Sequence, residues 1–87
     1  MTDPRWMRDG LNFARGKAIE ECGELQAALG KSLRWGWESV NPDLPKAQQE
    51  TNAQWVYREA NDVRNALDNL INEMRQAATC HPLVRSS

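Results

Sequence analysis

The sequence predicts an all-α protein built on two long antiparallel helices, and three observations carry that reading. Apolar residues recur at threes and fours along two extended stretches, turn-forming residues gather between them, and neither stretch has an interior proline. The chain, 87 residues long, makes one domain at most, with the hairpin at about 11–78 and a flexible tail at 79–87. A domain of this size buries only about 60–65% of its unfolded surface. Two helices cannot hide their apolar stripes alone, so pairing into a helical-bundle homodimer or homotetramer is expected.

Asp3-Pro4 suits a helix start, because Asp accepts from free amides and Pro is preorganised for the first helical position. Gly10 then interrupts or bends this short lead-in. The first long helix is expected at about 11–34, where Ala14, Ala18, Leu25 and Leu29 form the buried stripe. Trp35-Gly36-Trp37 ends it, and Asn41-Pro42-Asp43-Leu44-Pro45 is turn chemistry, so 35–46 is a connection. Trp35 and Trp37 either close the core over that connection or stack on a nucleobase. The chain resumes near Lys46, and Thr51-Asn52-Ala53-Gln54 resembles a capping box that starts a fresh helix at Asn52. Trp55, Val56, Val63, Ala66, Leu67, Leu70, Ile71 and Met74 carry helical spacing to about Ala78.

Composition narrows the function. Eleven basic and twelve acidic residues leave a net charge of −1, which supplies no field to draw the chain to nucleic acid or an anionic membrane. No apolar run approaches the ~18 residues of a membrane span, and no secretory leader is evident, so the chain reads as cytoplasmic. Cys22 and Cys80 have no CxxC spacing and His81 stands alone, which disfavours a disulfide framework or a zinc cluster. Cys22 is expected as a small core residue, and Cys80-His81 as part of a frayed tail.

Chemistry concentrates in two short stretches. Glu20-Glu21-Cys22-Gly23-Glu24 and Glu59-Ala60-Asn61-Asp62 each place two carboxylates three residues apart on a helix, projecting from one side with Cβ atoms about 5–6 Å apart. Glu21 falls on the edge of the apolar stripe with Glu24 one step further round, whereas Glu20 faces away. Glu59 has Val56, Val63, Ala66 and Leu70 around it. An ionised carboxylate there costs several kcal/mol unless it finds a cation, a metal or a proton. A salt bridge to Lys17, Arg58 or Arg64 is the bland solution. Two facing carboxylate pairs favour a divalent cation instead, and all-oxygen ligands select Mg²⁺, or Mn²⁺, over zinc.

The pattern EExxE followed by ExxD resembles the MazG-like all-α nucleoside triphosphate pyrophosphohydrolases, a superfamily that includes the dimeric dUTPases and phosphoribosyl-ATP pyrophosphohydrolases. The resemblance spans about residues 11–75, although residues 25–58 form a longer separation than the family's usual loop. It implies Mg²⁺ held by Glu21, Glu24, Glu59 and Asp62, and cleavage of a (d)NTP between its α and β phosphates. It also implies metal-assisted attack of water, with Glu20 or Glu21 taking the proton. Lys17 and Arg58 are placed to meet phosphate oxygens and Asn65 a sugar hydroxyl, or all three are plain surface groups.

Three readings compete. The first is a Mg²⁺-dependent nucleotide pyrophosphohydrolase, serving to clean the nucleotide pool. The second is a non-catalytic module that holds metal and nucleotide. The third is a structural hairpin whose acids bridge between chains to Arg34, Arg58 or Arg64.

Overall fold

Among residues 4–79, which the computed structural model describes, the order is a 3₁₀ turn at Pro4–Trp6, helix α1 at Asp9–Trp35, a second 3₁₀ turn at Lys46–Gln48 and helix α2 at Asn52–Ala77. The described residues contain no strand, only a single antiparallel bridge between Val40 and Thr51. No helix among them is long and apolar enough to cross a membrane. Asp3 and the Cys80-His81 segment lie outside the described residues.

The lead-in is separated from α1 by extended backbone at Arg8, with φ −121° and ψ 136°. Gly10 does not interrupt the helix, contrary to the sequence expectation; α1 runs straight through it. The Glu73 carboxylate lies 3.0 Å from where a Cβ on residue 10 would sit, so this glycine provides a close approach rather than a bend. A negative group over the first turn is also favourable, because the N-terminal amides carry partial positive charge. At the other end, the Gly36 amide donates to Ser32 O at 2.9 Å and the residue takes φ 92°, a conformation other residues adopt only with strain.

The start of α2 matches the sequence reading. Thr51 Oγ1 accepts from the Gln54 amide at 3.1 Å, while Gln54 Oε1 accepts from the Thr51 amide at 2.8 Å, completing a capping box. The connection satisfies further free donors: the Asn52 and Ala53 amides donate to Ser39 O and Trp37 O at 2.9 and 2.8 Å. The buried Asn52 side chain reaches back to α1, donating to Gly36 O at 2.9 Å and Lys31 O at 3.5 Å. It thereby locks the connection to the end of the first helix.

The helices pack antiparallel, as the pairings of Gly10 with Glu73 and of Lys31 with Asn52 show. On α1 the seam follows Leu11, Ala14, Ala18, Glu21, Leu25, Ala28 and Ser32, all buried except the half-buried Leu25. On α2 it follows Asn52, Val56, Glu59, Val63, Ala66, Leu70 and Ala77, with Val56, Val63 and Leu70 half-buried. The alternating three- and four-residue steps are those of a coiled-coil seam rather than of a straight 3.6-residue helix. That period corrects two expectations. Leu29 lies beside the seam and stays 39% exposed, its place taken by Ala28 and Ser32. Cys22, one residue past Glu21, is exposed rather than core. Ser32 is tolerated in the seam because its hydroxyl donates to Leu29 O at 2.7 Å.

The interior is built mainly from alanines, and no large side chain among the described residues is fully buried. Many large apolar groups face outward, including Leu33 at 89% exposure and Ile19 at 75%. Trp35 and Trp37 do not close the core, remaining 65% and 54% exposed.

Candidate metal centre

Glu21 and Glu59 occupy seam positions, where a helical hairpin places apolar side chains. They are only 5% and 3% exposed. The sequence put Glu21 at the edge of the stripe; it sits within it. Antiparallel register sets Glu21 level with Asp62, and Glu24 level with Glu59. One carboxylate oxygen from each of Glu21, Glu59 and Asp62 lies within 4.8 Å of the other two, and a second trio of the same kind joins Glu20, Glu21 and Glu24. Glu21 belongs to both. The four acids implied by the family resemblance are therefore divided between two overlapping trios, one of which also takes in Glu20, rather than forming one cage.

Each buried acid is half satisfied. Lys17 Nζ pairs with Glu21 Oε1 at 3.0 Å and with Glu20 Oε1 at 3.8 Å. Glu59 Oε1 accepts from Arg58 Nη1 at 2.9 Å and from Trp55 Nε1 at 3.3 Å. Of the salt bridges weighed for Glu59, the one to Arg58 is present, whereas Lys17 pairs with Glu21 and Glu20 on its own helix. These pairings leave Glu21 Oε2 and Glu59 Oε2 buried with no hydrogen-bond partner among the described residues. Unpaired buried carboxylate oxygens are costly and uncommon. The two acids that carry them cluster with Asp62, and a donor set made wholly of hard oxygens fits Mg²⁺ or Mn²⁺.

Electrostatics agree with that fit. Desolvation, followed by the neighbouring charges of Glu21 and Glu59, holds the Glu24 carboxyl above its ordinary value of 4.5. Hydrogen bonding to Glu21, with Coulombic help from Glu20, raises the Lys17 ammonium. Because the Glu24 pKa is higher in the folded state, the folded protein binds a proton more readily than the unfolded chain. The stability this contributes is present below about pH 4.5 and lost as pH rises through the raised value. With metal removed by a chelator, thermal unfolding is expected to show the parent losing stability relative to Glu24→Gln as pH rises above the ordinary carboxylate value of 4.5. Added Mg²⁺ is expected to restore it.

Two depressions flank the carboxylates. One, of about 380 Å³, is lined by Lys17, Glu21, Asp62, Asn65, Ala66 and Asn69. This brings Lys17 and Asn65, both named from sequence, to the acids. The other, of about 850 Å³, runs under the connection, and its walls include Lys31, Trp35, Asn52, Trp55 and Arg58. Arg58 and Trp35 are thus at the second depression, whereas Trp37 lines neither. Sequence reasoning missed Trp55 and Glu50. Trp55 lies one turn before Glu59 and donates to it; Glu50 accepts from Arg58 Nη2 at 2.7 Å. The one-turn spacing of Trp55 from Glu59 was a readable signal, but Glu50 sits before the capping residue and no helical periodicity points to it.

Fold and site together define an all-helical hairpin with carboxylates buried in its seam. No family model matches the chain, and neither a curated protein nor a solved structure does.

Proposed function

We propose that the protein is a Mg²⁺-dependent nucleoside triphosphate pyrophosphohydrolase of the MazG-like kind, converting a (d)NTP to its monophosphate and pyrophosphate. The observation that carries this is the pair of unpartnered seam oxygens, Glu21 Oε2 and Glu59 Oε2, on two buried acids that cluster with Asp62. A hairpin selected only for stability would place leucine or alanine there. When bound, Mg²⁺ supplies charge neutralisation at the phosphates and activation of water.

The remaining work falls to side chains. Glu21, Glu59 and Asp62, with Glu24 beside Glu21, hold the cation. Glu20, whose side chain is 58% exposed with only a 3.8 Å contact to Lys17, is free to accept a proton, whereas Glu21 is committed to the seam. Glu20 is therefore the better candidate for general base. Lys17 and Arg58 stand at the two depressions as cations for phosphate oxygens. Asn65 offers an amide to the sugar, and Trp35 an aromatic face to the base.

The active form in this reading is a homodimer or homotetramer. Outward-facing Leu33, Ile19, Phe13 and Tyr57 supply the surface, and the alanine-lined seam is thin for a stable monomer. Sedimentation is expected to give a species heavier than 9.9 kDa; a folded monomer would overturn this part.

The activity test is a panel of standard and modified NTPs and dNTPs with Mg²⁺ or Mn²⁺. Equimolar monophosphate and pyrophosphate from a subset is the expected result. Metal-dependent release of orthophosphate alone would contradict the reaction assigned. Silence, with Mn²⁺ still bound, would favour the non-catalytic metal- and nucleotide-binding module.

A further inference from the structure

Arg58 is shared between two acids of different situation. Its Nη1 donates to Glu59 Oε1 at 2.9 Å, while Nη2 and Nε donate to the two oxygens of Glu50 at 2.7 and 3.5 Å. Glu59 is buried in the seam, but Glu50 lies in the connection, two residues before α2 begins. Lys17 differs in this respect, since its ion pairs are to Glu20 and Glu21, both within the carboxylate cluster. Arg58 therefore has an acceptor outside the cluster and can leave Glu59 without losing its other bonds. A guanidinium is suited to this, because its donors are fixed in a fork and two of them stay engaged.

Resting on the metal-site reading, we propose that Arg58 is a resident counter-ion which a divalent cation displaces from Glu59, and that Glu50 is the positioning residue that retains it. Without metal, Arg58 offsets the buried charge at Glu59. A cation arriving among the carboxylates of Glu21, Glu59 and Asp62 meets the repulsion of that guanidinium only a few ångströms away. Glu50 relieves the repulsion by pulling Arg58 toward the connection. There the released Nη1 faces the depression lined by Trp35, Trp55 and Lys31, where it can hold an anionic oxygen of a phosphate ligand.

The test is Mn²⁺ titration of metal-free parent, Arg58→Gln, Glu50→Gln and the double variant, followed by the paramagnetic signal of free Mn²⁺. Arg58→Gln is expected to bind Mn²⁺ roughly tenfold tighter, because a competing positive charge is gone. Glu50→Gln is expected to bind about threefold weaker, since Arg58 then rests on Glu59 alone. The double variant is expected to match Arg58→Gln, so that the effect of Glu50 disappears with Arg58. Structural damage would weaken binding in both single variants and cannot produce the opposite signs. Inorganic pyrophosphate in the presence of Mn²⁺ is expected to bind less tightly to Arg58→Gln. The proposal fails if Arg58→Gln does not tighten Mn²⁺ binding, or if the Glu50 effect persists in the double variant, which would make it a through-space charge effect. Absence of Mn²⁺ binding by the parent would overturn both this proposal and the metal-site reading, whereas normal parent binding with additive variants sinks only this one.

Discussion

Glu59→Gln is expected to reduce Mg²⁺-dependent pyrophosphate release below about a hundredth of the parent rate, with the far-UV circular dichroism nearly unchanged. Gln keeps the volume of Glu in the seam, and its amide oxygen still accepts from Trp55 Nε1, which lies 3.3 Å from the present carboxylate. Arg58 keeps its bonds to Glu50. What disappears is the negative charge, and with it a carboxylate of the cluster formed with Glu21 and Asp62. A variant that lost activity together with helical content would be reporting unfolding instead. Thermal denaturation alongside the assay separates the two.

Glu21→Met is expected to stabilise the metal-free protein while removing its response to Mg²⁺. Glu21 is 5% exposed and one oxygen has no partner, so the ion pair to Lys17 recovers only part of its desolvation cost. Replacement of a buried ion by an apolar side chain of similar size is commonly neutral or stabilising, here by about 1–3 kcal/mol. For a domain of this length that corresponds to roughly 5–15 °C in Tm. Lys17 is left at the surface beside Glu20, where losing a partner costs little. If Glu21→Met instead lowered the Tm of chelated protein by a comparable amount, the carboxylate would be a structural partner of Lys17, and its place in the seam would need no metal. The combination expected, more stable and less active, is the usual mark of a site kept for function at a cost in stability.

The helices were legible because their signals are local. The Thr51 to Gln54 capping box fixes the start of α2, and the run from Asn52 to Ala77 has no breaker. The first helix was read as 11–34 and runs Asp9–Trp35, the difference being the first turn, where Gly10 looked like a breaker and is a contact with Glu73. Faces were harder than elements. Rotation at 100° per residue put Leu29 inside and Glu21 at the border, whereas the packed hairpin follows a seven-residue period that selects Ala28, Ser32 and Glu21. That period arises from two helices fitting together and is weakly marked in a chain whose buried positions are largely alanine. Cys22 was misplaced for the same reason. For Trp35 and Trp37 the sequence left core closure and base stacking both open, because hydropathy gives no direction for the connection; both are exposed. Glu59 was readable, being surrounded by apolar positions on its own helix. The share of Arg58 taken by Glu50 was not, since it joins a loop residue to one eight positions later across a capped helix start.

The most direct test of the account is titration of Mn²⁺ into metal-free parent and metal-free Glu59→Gln, followed by the loss of free-Mn²⁺ signal. Saturable binding by the parent, weakened at least about a hundredfold in Glu59→Gln, is the result the buried carboxylate centre predicts. Equal binding by both, or none by the parent, would contradict it and leave a helical hairpin whose seam acids serve only Lys17 and Arg58.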